Sequence, residues 1–468
     1  MDKLIDDIRK IVGDRGLLTG EAVSARSDSW PPVGGCQARV IVRPAATGEV
    51  AAVLKLCHAA GQSVVTHGGL TGLVGGSKAT PDDLVLSLER MTAIEPIDVV
   101  NRSVVVEAGA PLQRVHEAAE AAGFLFPLDL GARGSATIGG NISTNAGGNG
   151  VIRYGMMREQ LLGVEAVLAD GTVISSLNKV IKNNTGYDLK QLFVGSEGTL
   201  GVVTRAVLRL RARPRSCNTA LVAVPDFERV SGFLAHMDVA LGGTLSAFEV
   251  MWNDFWRLIV GGDEAGNGAG ERSHGRPLDP THAFYVLVEA TGGNETVDRQ
   301  RFEEALQEAF ESGLAVDAVV AQSRQQRQDM WAIRDDVETM LRKLYPPLTF
   351  DVSLGIPQMD GYVREVRAGL TALWPAARMV SFGHIGDGNI HLVVTVGSLD
   401  PDHVHGAEKI VYEALGRRDG VISAEHGIGL EKRAYLRHSR SAEEIALMRK
   451  LKHALDPGNI LNPGKIFG

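Results

Sequence analysis

The sequence predicts an α+β fold in two main parts, and three observations point to it. Between Gly61 and Gly201 glycine comes in bursts, separated by short runs of β-branched residues. After Pro214 the pattern changes to longer helical segments alternating with apolar strands. At 468 residues, 44% hydrophobic and 22% charged, the chain has ordinary globular composition and enough length for two or three cores.

Taken in order, residues 1–8 read as an amphipathic helix and open an N-terminal helical segment, 1–36. Residues 40–44 read as a strand, and 47–60 as a helix with Thr47 as N-cap and Glu49 in its first turn. Strands follow at 63–66, 84–88 and 103–107, then a helix at 111–122 stopped by Gly123. These elements, with a strand after the glycine-rich stretch 193–201, make a domain at 37–214. Beyond it, strands at 221–224 and 283–289 and helices at 226–240 and 296–313 suggest an antiparallel sheet covered by helices, a cap domain at 215–415. Asp226 is placed to cap the first of these helices. Residues 261–280 read as a polar, glycine-rich loop. The closing segment, 416–468, carries a helix at 441–455 ended by Asp456-Pro457-Gly458, and it is expected to return to the first domain and complete the site.

Composition narrows the partners. A formal net charge of −8 argues against nucleic acid, whose binders carry basic stripes. Cys36, Cys57 and Cys217 are scattered and form no CxxC pair, so neither a disulfide framework nor a thiolate metal site is expected. No apolar run approaches the roughly 18 residues of a membrane span, and the first residues resemble neither a signal nor a transit peptide. A soluble, cytoplasmic protein is expected.

The chemistry-bearing residues cluster late in the chain. His384 and His391 flank Asp387-Gly388, a dipeptide favoured in two-residue hairpin loops. Such a turn would set His384 directly opposite His391, on one face, where both could ligate one metal ion. Glu425 offers a third, oxygen ligand and leaves a position open for substrate. Zinc or manganese suits this set. The alternative is a hairpin with two surface histidines. Adjacent His426 is a candidate general base, and Gly427 and Gly429 would let the chain turn so that both Glu425 and His426 reach one site.

Three glycine-rich stretches stand apart from this cluster. The first holds Gly68, Gly69, Thr71, Gly72, Gly75, Gly76 and Ser77; the second runs through residues 131–148; the third spans 193–204. Glycines let backbone N–H groups approach a polar cofactor, although a turn cluster without ligand remains the alternative. Neither a Walker ending nor a G-x-G-x-x-G fingerprint is present, so ATP and nicotinamide readings are weak.

These three loops, in this order, resemble the FAD-binding domain of the vanillyl-alcohol oxidase / p-cresol methylhydroxylase superfamily. Pro127-Leu128-Asp129-Leu130-Gly131, Asn184-Thr185-Gly186-Tyr187-Asp188-Leu189, Gly383-His384-Ile385-Gly386-Asp387-Gly388-Asn389 and Glu425-His426-Gly427 narrow the likeness. They resemble the FAD-dependent D-2-hydroxyacid dehydrogenases, a group with D-2-hydroxyglutarate dehydrogenase, D-lactate dehydrogenase and the glycolate oxidase flavin subunit. The likeness covers residues 39–467.

That resemblance implies a two-part FAD-binding domain plus an antiparallel-sheet cap. Residues 68–77 would hold the pyrophosphate of FAD. Pro127 and the stretch with Gly134, Ser135, Thr137, Gly139, Gly140, Asn141, Thr144 and Asn145 would line the flavin and its ribityl chain. Glu197 and Val203 would lie toward adenosine, and Asn462 near the isoalloxazine. His67 precedes the Gly-Gly pair, whereas the histidine that tethers flavin in some members follows it, so non-covalent FAD is expected. The implied reaction is oxidation of a 2-hydroxyacid to the 2-oxoacid, with His426 as base and a divalent metal polarising the hydroxyl.

Arg334 matches the arginine that the family uses for the substrate carboxylate, and Asn389 falls within the substrate set. The plain alternative for Arg334 is a helix ion pair with Glu338, four residues on. In D-2-hydroxyglutarate dehydrogenases the positions matching Glu338, Thr349 and Val393 are threonine, lysine and asparagine. An acid, a neutral hydroxyl and an apolar group here disfavour a second carboxylate. An electron-transfer flavoprotein or a quinone is the expected acceptor, and a homodimer is compatible with the family. Two further readings stay open: an alcohol or sugar oxidase on the same fold, and a non-catalytic flavin subunit of a larger complex.

Overall fold

The computed structural model describes residues 2–29, 34–261 and 275–467, and the chain divides into two compact units. Unit 1 comprises Met1–Gly148, Tyr154–Arg213 and Glu425–Gly468; unit 2 comprises Asn149–Arg153 and Pro214–Ala424. Most of the loop read at 261–280 falls on residues 262–274, which lie outside the described residues.

Unit 1 is built on two four-stranded sheets, besides a short antiparallel pairing of Phe124–Leu125 with Arg211–Ala212. Val40–Val42, Leu84–Ser87 and Val64–His67 pair in parallel, with Leu17–Thr19 antiparallel at one edge. Their short apolar runs are almost wholly buried, as parallel strands require when both faces are covered. The second sheet is antiparallel, in the order Ser103–Glu107, Val202–Arg209, Leu161–Val167, Val173–Ser176. One core joins the two sheets and takes in Ile8 and Val12 of the helix Asp2–Val12. Residues 1–36 are thus an integral part of this unit, because Leu17–Thr19 adds a strand and Ile8 packs with Val50 and Leu54.

Local chemistry sets several helix starts. Asp226 caps Phe227–Leu241 by accepting the Arg229 N–H. Ser441 and Glu444 form a reciprocal capping box on Ala442–Leu455. The helix Thr47–Ala60 departs from expectation. Its cap is Ala46, and Thr47 lies inside the helix with its hydroxyl on the Glu165 carboxylate at 2.6 Å. The partner that diverts it is 118 residues away.

Unit 2 is a seven-stranded antiparallel sheet in the order Asp317–Val320, Ser216–Val224, Phe284–Gly292, Leu245–Trp252, Arg378–His384, Asn389–Thr395, Leu348–Ser353. One apolar cluster against it holds Met251, Trp256, Tyr285, Ile333, Phe382 and Val393. The chain enters this unit at Pro214 and leaves after Ala424, nine residues beyond Leu415 where the cap was expected to end. Those residues stay with unit 2 because Val421 pairs with Ser353 and the Ala424 N–H donates to the Asp351 carbonyl.

Glu289 is buried in this sheet and accepts from Thr219, from the Arg327 fork and from the Trp331 indole. Burial pushes its carboxyl up, but these donors more than reverse the effect and the net shift is downward. Its stabilising contribution is therefore present above the ordinary carboxyl value of 4.5 and is lost as pH falls through the lowered native value. Arg327→Ala leaves a buried carboxylate without its cation, at a cost of about 3 kcal/mol. The orphaned carboxyl then titrates above its unfolded value, so the deficit grows with pH. Urea unfolding at pH about 4 and about 7 should show the larger loss at pH 7, and equal losses would refute the assignment.

Candidate active site

In unit 1 the strand Val64–His67 opens directly into the first glycine loop, and one cleft of about 360 Å³ collects all three loops. It is lined by Gly68, Gly69, Thr71, Gly72, Gly76 and Ser77, by Thr137, Gly139, Gly140, Asn141 and Thr144, and by Glu197, Val203 and Asn462. Glu425 and His426 line the same cleft. Gly75, Pro127, Gly134, Ser135 and Asn145 are not part of that lining. Gly75 faces Lys78 and Glu431, Pro127 is buried, Gly134 and Ser135 are exposed, and Asn145 spends its side-chain oxygen on the Arg158 N–H. His67 also lies outside the lining; it is buried with Nε2 at 2.8 Å from the Ser77 carbonyl.

The glycines divide by cause. A Cβ on Gly69 would stand 2.0 Å from the Ser135 carbonyl, so loop packing alone demands glycine there. A Cβ on Gly72 meets nothing within 4 Å, and one on Gly76 has only Glu197 at 3.9 Å. Protein packing gives no reason for those two; a ligand lying along the loop does. Two buried polar atoms of lining residues, Thr66 Oγ1 and Asn141 Nδ2, have no hydrogen-bond partner among the described residues. A glycine cradle with orphaned polar groups suits a long polar cofactor such as FAD.

Glu197 ties the cleft together. Its carboxylate accepts the Ile428 N–H at 2.7 Å and the Gly429 N–H at 2.8 Å. Burial raises its pKa, and those N–H groups work against the rise. Its carbonyl accepts from Asn462 Nδ2, and Asn462 Oδ1 takes the Thr66 N–H. Gly427 and Gly429 have φ of +83° and +51°, and a Cβ would fall 2.8 Å from Glu197 Oε1 in the first case and 2.0 Å from the Val74 carbonyl in the second. Glycine is required at both positions to carry the chain past Glu197 just after Glu425 and His426.

In unit 2 the histidine hairpin differs from the expected one. Arg378–His384 and Asn389–Thr395 pair so that His391 faces Phe382, two residues from the predicted partner His384. Only Gly388 adopts positive φ, +89°, after a short 3-10 turn Ile385–Asp387, so the connection has four residues in place of a two-residue loop needing two such positions. A shift of two preserves the face, because side chains alternate with period two. The rings remain neighbours, with centroids 5.3 Å apart and planes at 84°. His384 is buried and His391 half-buried, so they are not a surface pair.

Two carboxylates that sequence reasoning missed stand behind these rings. Glu249 lies opposite His384 in register and bonds its Nδ1 at 2.6 Å; Asp351 lies opposite His391, 3.6 Å from its Nδ1. Each is a lone acid in a strand that is otherwise apolar or hydroxylic, the only signal available. Burial pushes the Glu249 carboxyl up, but His384 and Arg334 hold it at about 2. An ionised carboxylate only accepts, so His384 carries its proton on Nδ1 and presents a lone pair on Nε2. Arg334 Nη2, 3.1 Å from that Nε2, is a donor and agrees with this tautomer. A carboxylate on one ring nitrogen and a lone pair on the other is the usual state of a metal-binding histidine, so the donor set here fits a divalent ion.

Arg334 ends the helix Arg324–Arg334, and Glu338 belongs to the next, Val337–Lys343. The guanidinium bonds Glu249 through Nε at 2.8 Å and Asp335 through Nη1 at 3.2 Å. Asn389 is buried, donates to Asp351 at 2.6 Å, and leaves its Oδ1 without a partner. Thr349 and Val393 are direct cross-strand partners on the face that also carries Asp351 and His391; Val393 is buried with Phe382, whereas Thr349 and Glu338 are exposed.

A glycine-lined cleft on an α+β unit, with a second unit built on an antiparallel sheet, is the arrangement expected of an FAD-linked oxidoreductase. The comparisons agree. Residues 38–176 match the FAD binding domain family, and residues 213–466 match the family of FAD linked oxidases, C-terminal domain. The chain belongs to the FAD-linked oxidase family. It is 41% identical over 438 residues to D-2-hydroxyglutarate dehydrogenase of Xanthomonas citri pv. viticola, covering 91% of this chain and 89% of that one. It is 37% identical to the mitochondrial D-2-hydroxyglutarate dehydrogenases of Arabidopsis thaliana and Bos taurus, covering 99% and 98% of this chain and 81% and 82% of theirs. Among solved structures, p-cresol methylhydroxylase with substrate bound aligns with a TM-score of 0.76 at 15% identity, over 99% of this chain and 96% of that one, which speaks to fold alone. Among the described residues no helix is long and apolar enough to cross a membrane.

Proposed function

We propose that this enzyme oxidises a D-2-hydroxyacid to the 2-oxoacid, using FAD and one divalent metal, zinc or manganese. The observation that carries the reading is the pair His384 and His391, on one face, each with a carboxylate behind Nδ1. Glu425 is the proposed third ligand. When bound, the metal would lower the pKa of a coordinated hydroxyl, and FAD would supply the hydride acceptor.

The chain's own groups do the rest. His426 takes the hydroxyl proton. Arg334 is the proposed binder of the substrate carboxylate: with a metal held by His384, its Nη2 N–H groups would be freed for a new acceptor, while Nε stays on Glu249. Asn389 Oδ1, buried and without a partner, accepts from a substrate hydroxyl or an ordered water. The loops around Gly72 and Gly76 hold FAD without a covalent tether; His67, bonded to Ser77 and outside the cleft lining, is not placed as a tether. Electrons pass to an electron-transfer flavoprotein or a quinone.

The substrate side chain is proposed to be neutral. Thr349 and Val393 sit opposite one another and neither supplies the cation that a second carboxylate would need, while Glu338 adds an anion on the helix Val337–Lys343. The second reading, D-2-hydroxyglutarate itself, is favoured by the names of the relatives. A panel of 2-hydroxyacids with an artificial dye, with and without chelator, decides between them. D-lactate and longer neutral acids should turn over best, and chelator should stop turnover without bleaching the bound flavin. Turnover of D-2-hydroxyglutarate far above the neutral acids would reject the neutral side chain but keep the chemistry. Full activity in chelator would reject the metal.

A further inference from the structure

A second cavity in unit 2, about 600 Å³, opens beside the helices Asn253–Val260 and Met359–Leu373 and the first residues of the strand Arg378–His384. None of its lining residues belongs to the histidine cluster. Its volume falls within the range of small-molecule sites. Four cations line it, Arg257, Lys343, Arg367 and Arg378, against one acid, Asp254.

That acid is already committed. Asp254 takes the Arg367 guanidinium and the N–H groups of Phe255 and Ser381. Among the described residues the other three cations bond only to neutral backbone carbonyls: Arg257 to Pro280, Lys343 to Leu258 and Arg378 to Lys343. A carbonyl orients a cation without cancelling its charge. The cavity thus concentrates three positive charges that have no carboxylate partner among the described residues, in a chain whose formal net charge is −8. The buried apolar side chain of Leu344 forms part of its wall.

We propose that this cavity binds a small multivalent anion, phosphorylated or polycarboxylated, at a site separate from turnover. Arginine forks match both groups bidentately, and the concave site suits a small ligand. The position also links the site to the active centre. Lys343 ends the helix that carries Glu338, and Arg378 begins the strand that ends at His384.

Isothermal titration of the flavin-loaded protein with sodium pyrophosphate and with sodium citrate, at low ionic strength, tests the proposal. At least one should bind saturably, and Arg257→Glu with Arg378→Glu should weaken it by at least about tenfold, with dye-linked turnover and thermal midpoint unchanged. Preference for pyrophosphate assigns a phosphorylated ligand, and preference for citrate a polycarboxylate. Absence of saturable binding up to about 10 mM of either probe overturns the proposal, as does equal affinity in the variant. Should the double reversal fail to fold, Arg257→Gln and Arg378→Gln singly should each weaken binding measurably, and unchanged affinity in both is equally fatal.

Discussion

His426→Ala lowers the rate of flavin reduction by about 10²–10⁴-fold, the usual worth of a positioned general base. The purified variant should remain yellow. The loop that carries His426 is held from behind, by Glu197 on the Ile428 and Gly429 N–H groups, and truncation at position 426 removes none of those bonds. The dependence of kcat/KM on pH separates chemistry from folding. The wild type should gain rate as pH rises through the titration of the base, and the variant should lose that limb. Anaerobic stopped-flow bleaching at several pH values measures both quantities, and an unaltered profile in the variant would remove His426 from the reaction.

Glu249→Gln weakens metal binding by about 10–100-fold, the usual effect of removing a carboxylate behind a histidine ligand. Glu249 accepts from His384 Nδ1 and from Arg334 Nε at once, one on each oxygen. An amide has one acceptor oxygen, so its NH₂ end must face one of these donors. Either His384 loses its tautomer or Arg334 loses its anchor, and both losses act on the site through other residues. Metal content after dialysis against a graded chelator is the direct readout, and the unit 1 flavin spectrum is the internal control. The structural alternative predicts a lower melting temperature with unchanged metal affinity. Retention of metal at wild-type affinity would show that Glu249 serves only the core.

Much of the architecture was legible from short-range rules. The cap at Asp226 lies within a few residues of the group it satisfies, and a local reading finds it; Ser441, read as the first residue of its helix, turns out to be that helix's cap. Thr47 failed because its hydroxyl answers to Glu165, which no window of ordinary length contains. The glycine loops were recognisable as a set, yet their individual duties were not: Gly69 is dictated by the Ser135 carbonyl, whereas Gly72 faces open space and Gly76 has only an ordinary contact with Glu197. Gly134, Ser135 and Asn145 sit in the right stretch but outside the cleft lining, since residues in one loop need not share one direction.

The histidine pair marks the boundary between the two kinds of information. That His384 and His391 share a face follows from alternation along a strand, and it survived an error of two residues in register. The register itself depends on the conformation of the connecting loop, where Asp387 kept the ordinary backbone sign and only Gly388 turned left-handed. The carboxylates behind the rings come from strands far off in sequence, Glu249 being 135 residues from His384. Composition, period and motif order therefore determined the fold class, the glycine loops that line one cleft and the shared face of His384 and His391. Only the assembled sheet decided which acid stands behind which histidine and what Arg334 holds, because pairing between distant strands leaves no local trace in either one.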